Sequence, residues 1–411
     1  MSRRIGLGNP ARRQRGLTLI ELMITLAISL GVLAAISYAY LGSRGAYRTN
    51  EGAARIQESA RFALDSISRD LRGTGFIGCG STQSATGAIP APILTATGAA
   101  ISYSTGIGVV SGFSGSGGWD LTAFTLGSAL PAPANWVNTS DVLVIRTATS
   151  PPAIVADIDK TLKTMDVDGA VCGALIQPTA STPNPLTTFA LSSCTRTLLV
   201  QVSNSQAPTC TPGKAQPGTK VALSFTAPGG MDTSPPSLTG DFLTMSRIDE
   251  VAYYVGTVPA PTGVAPATAL YRWSSLTNRN EEVVDGIEQM GLQFGVASTL
   301  IDDTTQKTGD PARLNSSLLQ LAGANPMGPN GVANPTQNWA KVLSVQVNLQ
   351  VVGGDLANAQ GVQGQAGATN LAANNAQFAT ALVPGIAGVA TGDTRLRDRV
   401  AATVALRNRL N

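Results

Sequence analysis

Glu21 is the one charged residue in the apolar stretch from Leu17 to Leu41, and a carboxylate there asks for a chemical explanation. At membrane depth such a group costs about 2.5 to 3.5 kcal/mol on insertion scales, so it needs a cationic partner. No Lys, Arg or His lies between Leu17 and Ser43. What remains is an α-amino group, that of a mature chain cut between Gly16 and Leu17. The second chemical set is Cys79, Cys172, Cys194 and Cys210, all beyond the apolar stretch. In an oxidising compartment an even count favours two disulfides, with three possible pairings. Four buried free thiols are the other reading. The chain has no histidine, which removes the commonest general base and the commonest metal ligand. It also lacks G-x-S-x-G, P-loop and H-E-x-x-H motifs. No enzyme, cofactor or metal site is expected. Asp157, Asp159, Asp166 and Asp168-Gly169 do not follow the EF-hand spacing and read as solvated loop acids, as do Asp302, Asp303 and Asp310.

The elements that must position Glu21 begin with its own. The uncharged run Leu22 to Leu41 is about the 20 residues an α-helix needs to cross a bilayer core. A secretory signal peptide cut near Ser37-Tyr38-Ala39 is the rival reading, but such apolar regions span roughly 7 to 15 residues and carry no carboxylate. Arg3, Arg4, Arg12, Arg13 and Arg15 precede the run and hold that end in the cytoplasm, leaving the remainder in the periplasm. These five arginines come with no acid, so removing residues 1–16 takes the net charge from +3 to −2. The basic balance of the whole chain is therefore no sign of nucleic-acid binding. Charged residues make up 13%, about half the usual share, which suits an exported, loop-rich surface.

No proline lies between Leu17 and Arg72, so one long helix is predicted, ending at Gly73-Thr74-Gly75. Its second half is amphipathic, with Ala53, Ile56, Ala60, Ala63, Ile67 and Leu71 at three- and four-residue steps. Glu51 with Arg55, Arg61 with Asp65 and Asp65 with Arg69 supply i,i+4 pairs. Downstream, Leu343 to Val351 alternates apolar and polar residues as a half-buried strand does. Weaker strands are predicted at Asp141 to Arg146, Thr197 to Val202, Lys220 to Phe225, Val251 to Val255, Leu270 to Trp273, Gly291 to Val296 and Val400 to Leu406. Long Gly/Ser/Thr/Pro- or Gly/Ala/Asn-rich loops are expected over Ser81 to Asn135, Thr257 to Thr268, Asp302 to Asn338 and Gly353 to Asn375. The fold class is thus α+β: a long N-terminal helix, its first half transmembrane, packed on an antiparallel sheet head. The expected organisation is a leader at 1–16, a membrane helix at 17–41, its amphipathic continuation at 42–78 and a periplasmic head at 79–411.

Gly16-Leu17-Thr18-Leu19-Ile20-Glu21-Leu22, behind the arginines, resembles the class III leader of prepilins. That resemblance implies cleavage after Gly16 by prepilin peptidase, N-methylation of Leu17 and a subunit-assembly role for Glu21; Leu17 stands where the family usually has Phe. The block Ala54 to Arg72, continuing to Gly78-Cys79, resembles the PilW family of minor type IV pilins. Asp141 to Arg146, Asp249 to Gly256, Leu270 to Trp273, Val284 to Glu288 with Leu292 to Phe294, and Arg399 to Leu410 are similar to later blocks of that family. The resemblance implies a low-abundance minor pilin of the inner membrane that joins other minor pilins in priming assembly of the major-pilin fibre and can remain at its tip. Major pilins generally carry a proline in the apolar half of the helix, and this chain has none there. Type II secretion minor pseudopilins of the J kind share the leader but are typically much shorter. A tip adhesin or DNA-binding module on a pilin stem is a further alternative. For the latter, Arg395, Arg397, Arg399, Arg407 and Arg409 form a basic tail, read here as charges guarding a sheet edge. Trp119, Trp136, Trp273 and Trp339 read as core or loop anchors.

Overall fold

A computed structural model describes residues 18–74, 93–94, 100–101, 110–113, 135–137, 139–148, 153–159, 164–168, 187–192, 197–202, 220–226, 243–259, 267–274, 277, 279–297, 316–320, 342–353 and 396–406. Helix α1 runs unbroken over Leu19–Gly73, about 80 Å at the α-helical rise. Thr18 caps it from an extended conformation, its hydroxyl accepting the Glu21 N–H at 3.3 Å. With Glu three residues on, this is the sequence of a capping box. At the other end the Thr74 N–H donates to the Leu71 carbonyl at 3.2 Å and its hydroxyl to the Asp70 carbonyl at 3.0 Å. Inside the apolar half, Thr25 donates to the Glu21 carbonyl at 2.9 Å and Ser29 to the Leu26 carbonyl at 3.0 Å. These two hydroxyls are thus satisfied by the helix itself, as a segment without water requires.

The second half docks through the expected stripe, with one shift. Gly52, Ile56, Ala60, Ala63, Ile67 and Leu71 are buried, whereas Ala53, placed in the stripe by spacing alone, is only half-buried. The helix approaches the head closely at Gly52, whose carbonyl faces Gly353, and it is at Gly353 that a larger residue has no room. Glu51–Arg55 and Asp65–Arg69 pair at 2.8 and 3.0 Å. Arg61 does not take Asp65, whose carboxylate turns to Arg69 instead.

Among the described residues sixteen strands pair antiparallel: β1 Ile93–Leu94, β2 Ala100–Ile101, β3 Val110–Phe113, β4 Val142–Ala148, β5 Ala153–Asp159, β6 Thr164–Asp168, β7 Thr187–Ser192, β8 Thr197–Val202, β9 Lys220–Thr226, β10 Leu243–Thr257, β11 Thr268–Ser274, β12 Arg279–Asp285, β13 Ile287–Ala297, β14 Ser316–Gln320, β15 Val342–Gly353 and β16 Leu396–Ala405. β1 and β2 pair with each other. A four-stranded sheet has the order β14-β13-β15-β16, and a ten-stranded sheet is organised around β10. The first residues of β10 pair with β5 and β7, and its later ones with β4 and β11. Helix α1 lies against β4, β12, β15 and β16, so it covers both larger sheets.

All the predicted strands form, most with wider bounds. β10 starts at Leu243, well before the expected Val251, because Ser246, Arg247, Asp249 and Glu250 are buried polar residues that hide the strand's alternation. β12 reads Arg-Asn-Glu-Glu-Val-Val-Asp and is largely exposed, so it offers no apolar face to recognise. The expected loops at Ser81 to Asn135 and Asp302 to Asn338 contain β1 to β3 and β14, strands too short to set up a pattern. Asp157 and Asp159 lie on β5 and Asp166 and Asp168 on β6, with Asp157 opposite Asp166, not in a loop. Acids at alternate positions fit a strand's period of two.

Two seams join the sheets. Gly286, at φ +79° between β12 and β13, donates its N–H to Thr268 of β11 at 2.9 Å and accepts from Val352 of β15 at 2.8 Å. Ser140 and Asp141, just before β4, bind β13: the Met290 N–H donates to Ser140 Oγ at 2.9 Å and the Leu292 N–H to Asp141 Oδ2 at 2.9 Å. Both polar side chains are buried in doing so.

Candidate functional site

Glu21 occupies the first turn of α1, where the unpaired backbone N–H groups favour an acid. Around it Leu19, Ile20, Leu22, Met23 and Ile24 are all exposed, from 53% to 79%. That exposure continues to Leu41: the half of α1 long and apolar enough to cross a membrane has none of its residues buried in the chain. Among the described residues the Glu21 carboxylate meets no cation. Any partner for it is supplied from elsewhere. Gly16, Leu17 and the four cysteines Cys79, Cys172, Cys194 and Cys210 lie outside the described residues.

What the head contributes is a grip on the stem. Asp70 Oδ2 accepts the Tyr253 hydroxyl at 2.7 Å and Arg272 Nε at 3.0 Å, joining α1 to neighbouring strands β10 and β11. Tyr253 and Arg272 are cross-strand partners, so one carboxylate reads a pair that the sheet has already aligned. With the hydroxyl proton given to Asp70, Ser66 donates to Tyr253 at 3.2 Å. Burial, then the negative charge of Asp70, pushes the Tyr253 hydroxyl pKa well above its ordinary value. For Arg272, burial opposes the charge, and the hydrogen bond and attraction of Asp70 outweigh it, so its pKa rises. The cluster is polar and partly exposed, the Arg272 and Asp70 side chains at 28% and 26%. On the same two strands, Ser274 donates to both oxygens of Asp249 at 2.9 and 3.1 Å.

Two buried ion pairs stiffen the sheets themselves. Arg146 Nε reaches Glu250 at 2.7 Å across β4 and β10, both side chains almost wholly buried. Arg397 binds Glu288 through two bonds of 2.6 and 2.9 Å, Gln350 donates to the same carboxylate at 3.0 Å, and Arg399 donates to Gln350 at 3.2 Å. This corrects the reading of the basic tail. Arg397 is 3% exposed and tied to β13, so it neither guards an edge nor offers charge to DNA. The residue was misread because Glu288 sits at a register shift in β13 that sequence does not reveal. Arg395, Arg407 and Arg409 lie outside the described residues, as do Trp119 and Trp339. Trp273 is buried and Trp136 half-buried beside Gly256, as anchors. Among the described residues no group of three or more His, Cys, Asp and Glu is placed to hold a metal.

An apolar stem with one acid at its start, gripped at its far end by an antiparallel head, is the arrangement against which similarity can be judged. Residues 11–38 match the prokaryotic N-terminal methylation motif. Together with the long apolar helix among the described residues and a second match over residues 252–408, this supports a type IV pilus-related pilin. Residues 252–408 are similar to the family described as Type IV Pilus-assembly protein W, and the two matches together are consistent with a minor pilin of that family. The second match begins inside β10 and ends beyond β16, so it covers the strand blocks from residue 252 on and neither the Ala54 to Cys79 block nor Asp141 to Arg146. Comparison with curated proteins and with solved structures finds no match.

Proposed function

We propose that the chain is a minor pilin that joins other minor pilins in the inner membrane, primes assembly of the major-pilin fibre and stays at its tip. Its role is structural, not catalytic. Prepilin peptidase cuts after Gly16 and methylates Leu17, the arginines remain cytoplasmic and the head faces the periplasm. Glu21 neutralises the N-terminal ammonium of a neighbouring subunit. The observation that carries this reading is the projecting half of α1, exposed from Leu19 to Leu41 with Glu21 as its only charge. A surface that apolar is covered either by lipid or by other helices, and a carboxylate within it supports the second cover as the working state.

Replacing Glu21 by Val separates the two. Val removes a desolvation penalty, so membrane abundance of the variant is expected to hold or rise, while the neighbour's ammonium is left unpaired. Losing one partner of a buried ion pair costs about 3 to 5 kcal/mol, roughly two to three and a half orders of magnitude in an assembly constant. Surface pili counted in a strain lacking the native copy should therefore fall sharply. Normal piliation with Glu21→Val would overturn the role given to Glu21. Deletion of the whole gene with normal pili but lost attachment would move the function to a tip-binding head.

A further inference from the structure

Where the apolar half of α1 ends, its chemistry changes. Between Leu22 and Asn50 the charged residues are Arg44 and Arg48, and the next acid, Glu51, is taken by Arg55 at 2.8 Å. Tyr40, Arg44 and Tyr47 follow one another at steps of four and three, so they share one face of the helix. The same steps continue to Glu51, Arg55, Glu58 and Phe62, all exposed, away from the Gly52, Ile56 and Ala60 stripe that meets the head. Tyr40 is 65% and Tyr47 71% exposed, and Arg44 is exposed with them.

The run from Leu22 to Leu41 rises about 30 Å as a helix, the thickness of the hydrocarbon core. Tyr40 then stands at the far boundary of that core, with Arg44 about 4.5 Å and Tyr47 about 9 Å past its last residue, Leu41. The headgroup layer adds about 5 to 7 Å on each side. Helical side chains lean back toward the N-terminus, which brings the Tyr47 ring and the Arg44 guanidinium down into that layer. Orientation does not account for a cation at this place. Five arginines already precede the span, and the rule that holds cations on the cytoplasmic side favours none on the other.

We propose that Tyr40, Arg44 and Tyr47 form a binding face for an anionic phospholipid of the leaflet next to the head, with Arg44 on the phosphate and the two tyrosines flanking it. A guanidinium offers a forked pair of donors that fits phosphate oxygens. Tyrosine settles at this depth because its ring is apolar and its hydroxyl is not. A zwitterionic headgroup brings its own ammonium, and Glu51, the nearest acid, is turned to Arg55. An anionic headgroup brings no such cation. The inference goes beyond the function proposed above and shares with it only the bilayer span of α1.

The test reconstitutes the full chain in nanodiscs of equal phosphatidylglycerol and phosphatidylcholine, with photoreactive benzoylphenylalanine in place of Ser43, which is exposed and lies between Tyr40 and Tyr47. Mass spectrometry of the adducts is expected to show phosphatidylglycerol in excess by at least about fivefold. Arg44→Gln should cut that excess about fivefold, Arg44→Lys should keep most of it, and about 1 M salt should remove it. A probe in place of Leu33, in mid-span, should take both lipids equally. The leader arginines lie across the core, about 30 Å away and beyond screening reach, so they do not contribute at Ser43. Equal adducts at Ser43, an excess that survives Arg44→Gln, or adducts to protein instead of lipid would overturn the proposal. Lipid adducts at Leu33 with parity at Ser43 keep the span and remove only the headgroup face, whereas no lipid adduct at Leu33 removes the span and the inference with it. Piliation of the Glu21→Val strain scores the role of Glu21 separately.

Discussion

Asp70 holds Tyr253 and Arg272 at once, and its consequences are open to titration as well as mutation. The Tyr253 hydroxyl is harder to ionise in the folded head than in the unfolded chain, so the fold binds its proton longer as pH rises. Stability from this group is therefore complete below the ordinary tyrosine pKa of about 10 and declines above it. Tyr254 and Tyr271, stacked at 5.5 Å, shift in the same direction, chiefly through burial. Thermal midpoints of the detergent-solubilised chain should hold from pH 7 to 9 and drop toward pH 11, and Tyr253→Phe should make that drop shallower. An unchanged slope would remove Tyr253 from the account. At the second polar cluster, Glu288→Leu leaves Arg397 buried without its carboxylate and should destabilise the head by about 3 to 5 kcal/mol, read as a lower denaturation midpoint. At this scale Glu21 was legible because one charge in an apolar run is conspicuous. Asp70 was not, since an acid between Ile67 and Leu71 looks like any solvated helix position until the partner strands are known.

At the scale of elements, the docking of α1 turns on a backbone contact. A Cβ at Gly353 would stand 2.7 Å from Ile56 Cγ1 and closer still to the Gly52 carbonyl oxygen. Gly353→Ala must push the helix off the end of β15, and about 1 to 3 kcal/mol of destabilisation is expected from such overpacking. Faster proteolysis within residues 45–60 of α1 would report it; wild-type resistance would mean that β15 yields instead. Gly286→Ala combines a left-handed φ with a contact of 2.9 Å to the Val352 carbonyl and should loosen the seam between the sheets. The helix and β15 were readable because each keeps one period over many residues. Half of β10 and all of β12 were not, because buried ion pairs in one and an exposed edge in the other remove the apolar alternation on which strand reading depends.

For the molecule as a whole, maturation is the first expectation to check: intact mass and N-terminal sequencing should give Leu17 as the first residue, and Gly16→Val should retain the longer form. A mature terminus elsewhere would break the link between the leader and the stem. The α+β plan was legible from the helix and one alternating strand, whereas the arrangement of the two large sheets depends on crossings such as Asp141 with Leu292 and Gly286 with Val352 that no local pattern encodes. The close docking of α1 also has a mechanical side. From Gly52 to Asp70 the helix lies along the head and is held by Gly353, by the Ile56 to Leu71 ridge and by the Asp70 grip. A pull along the stem loads all of these contacts together, in shear, and none can be unzipped before the others. A head attached in that way stays with its stem when the stem is pulled.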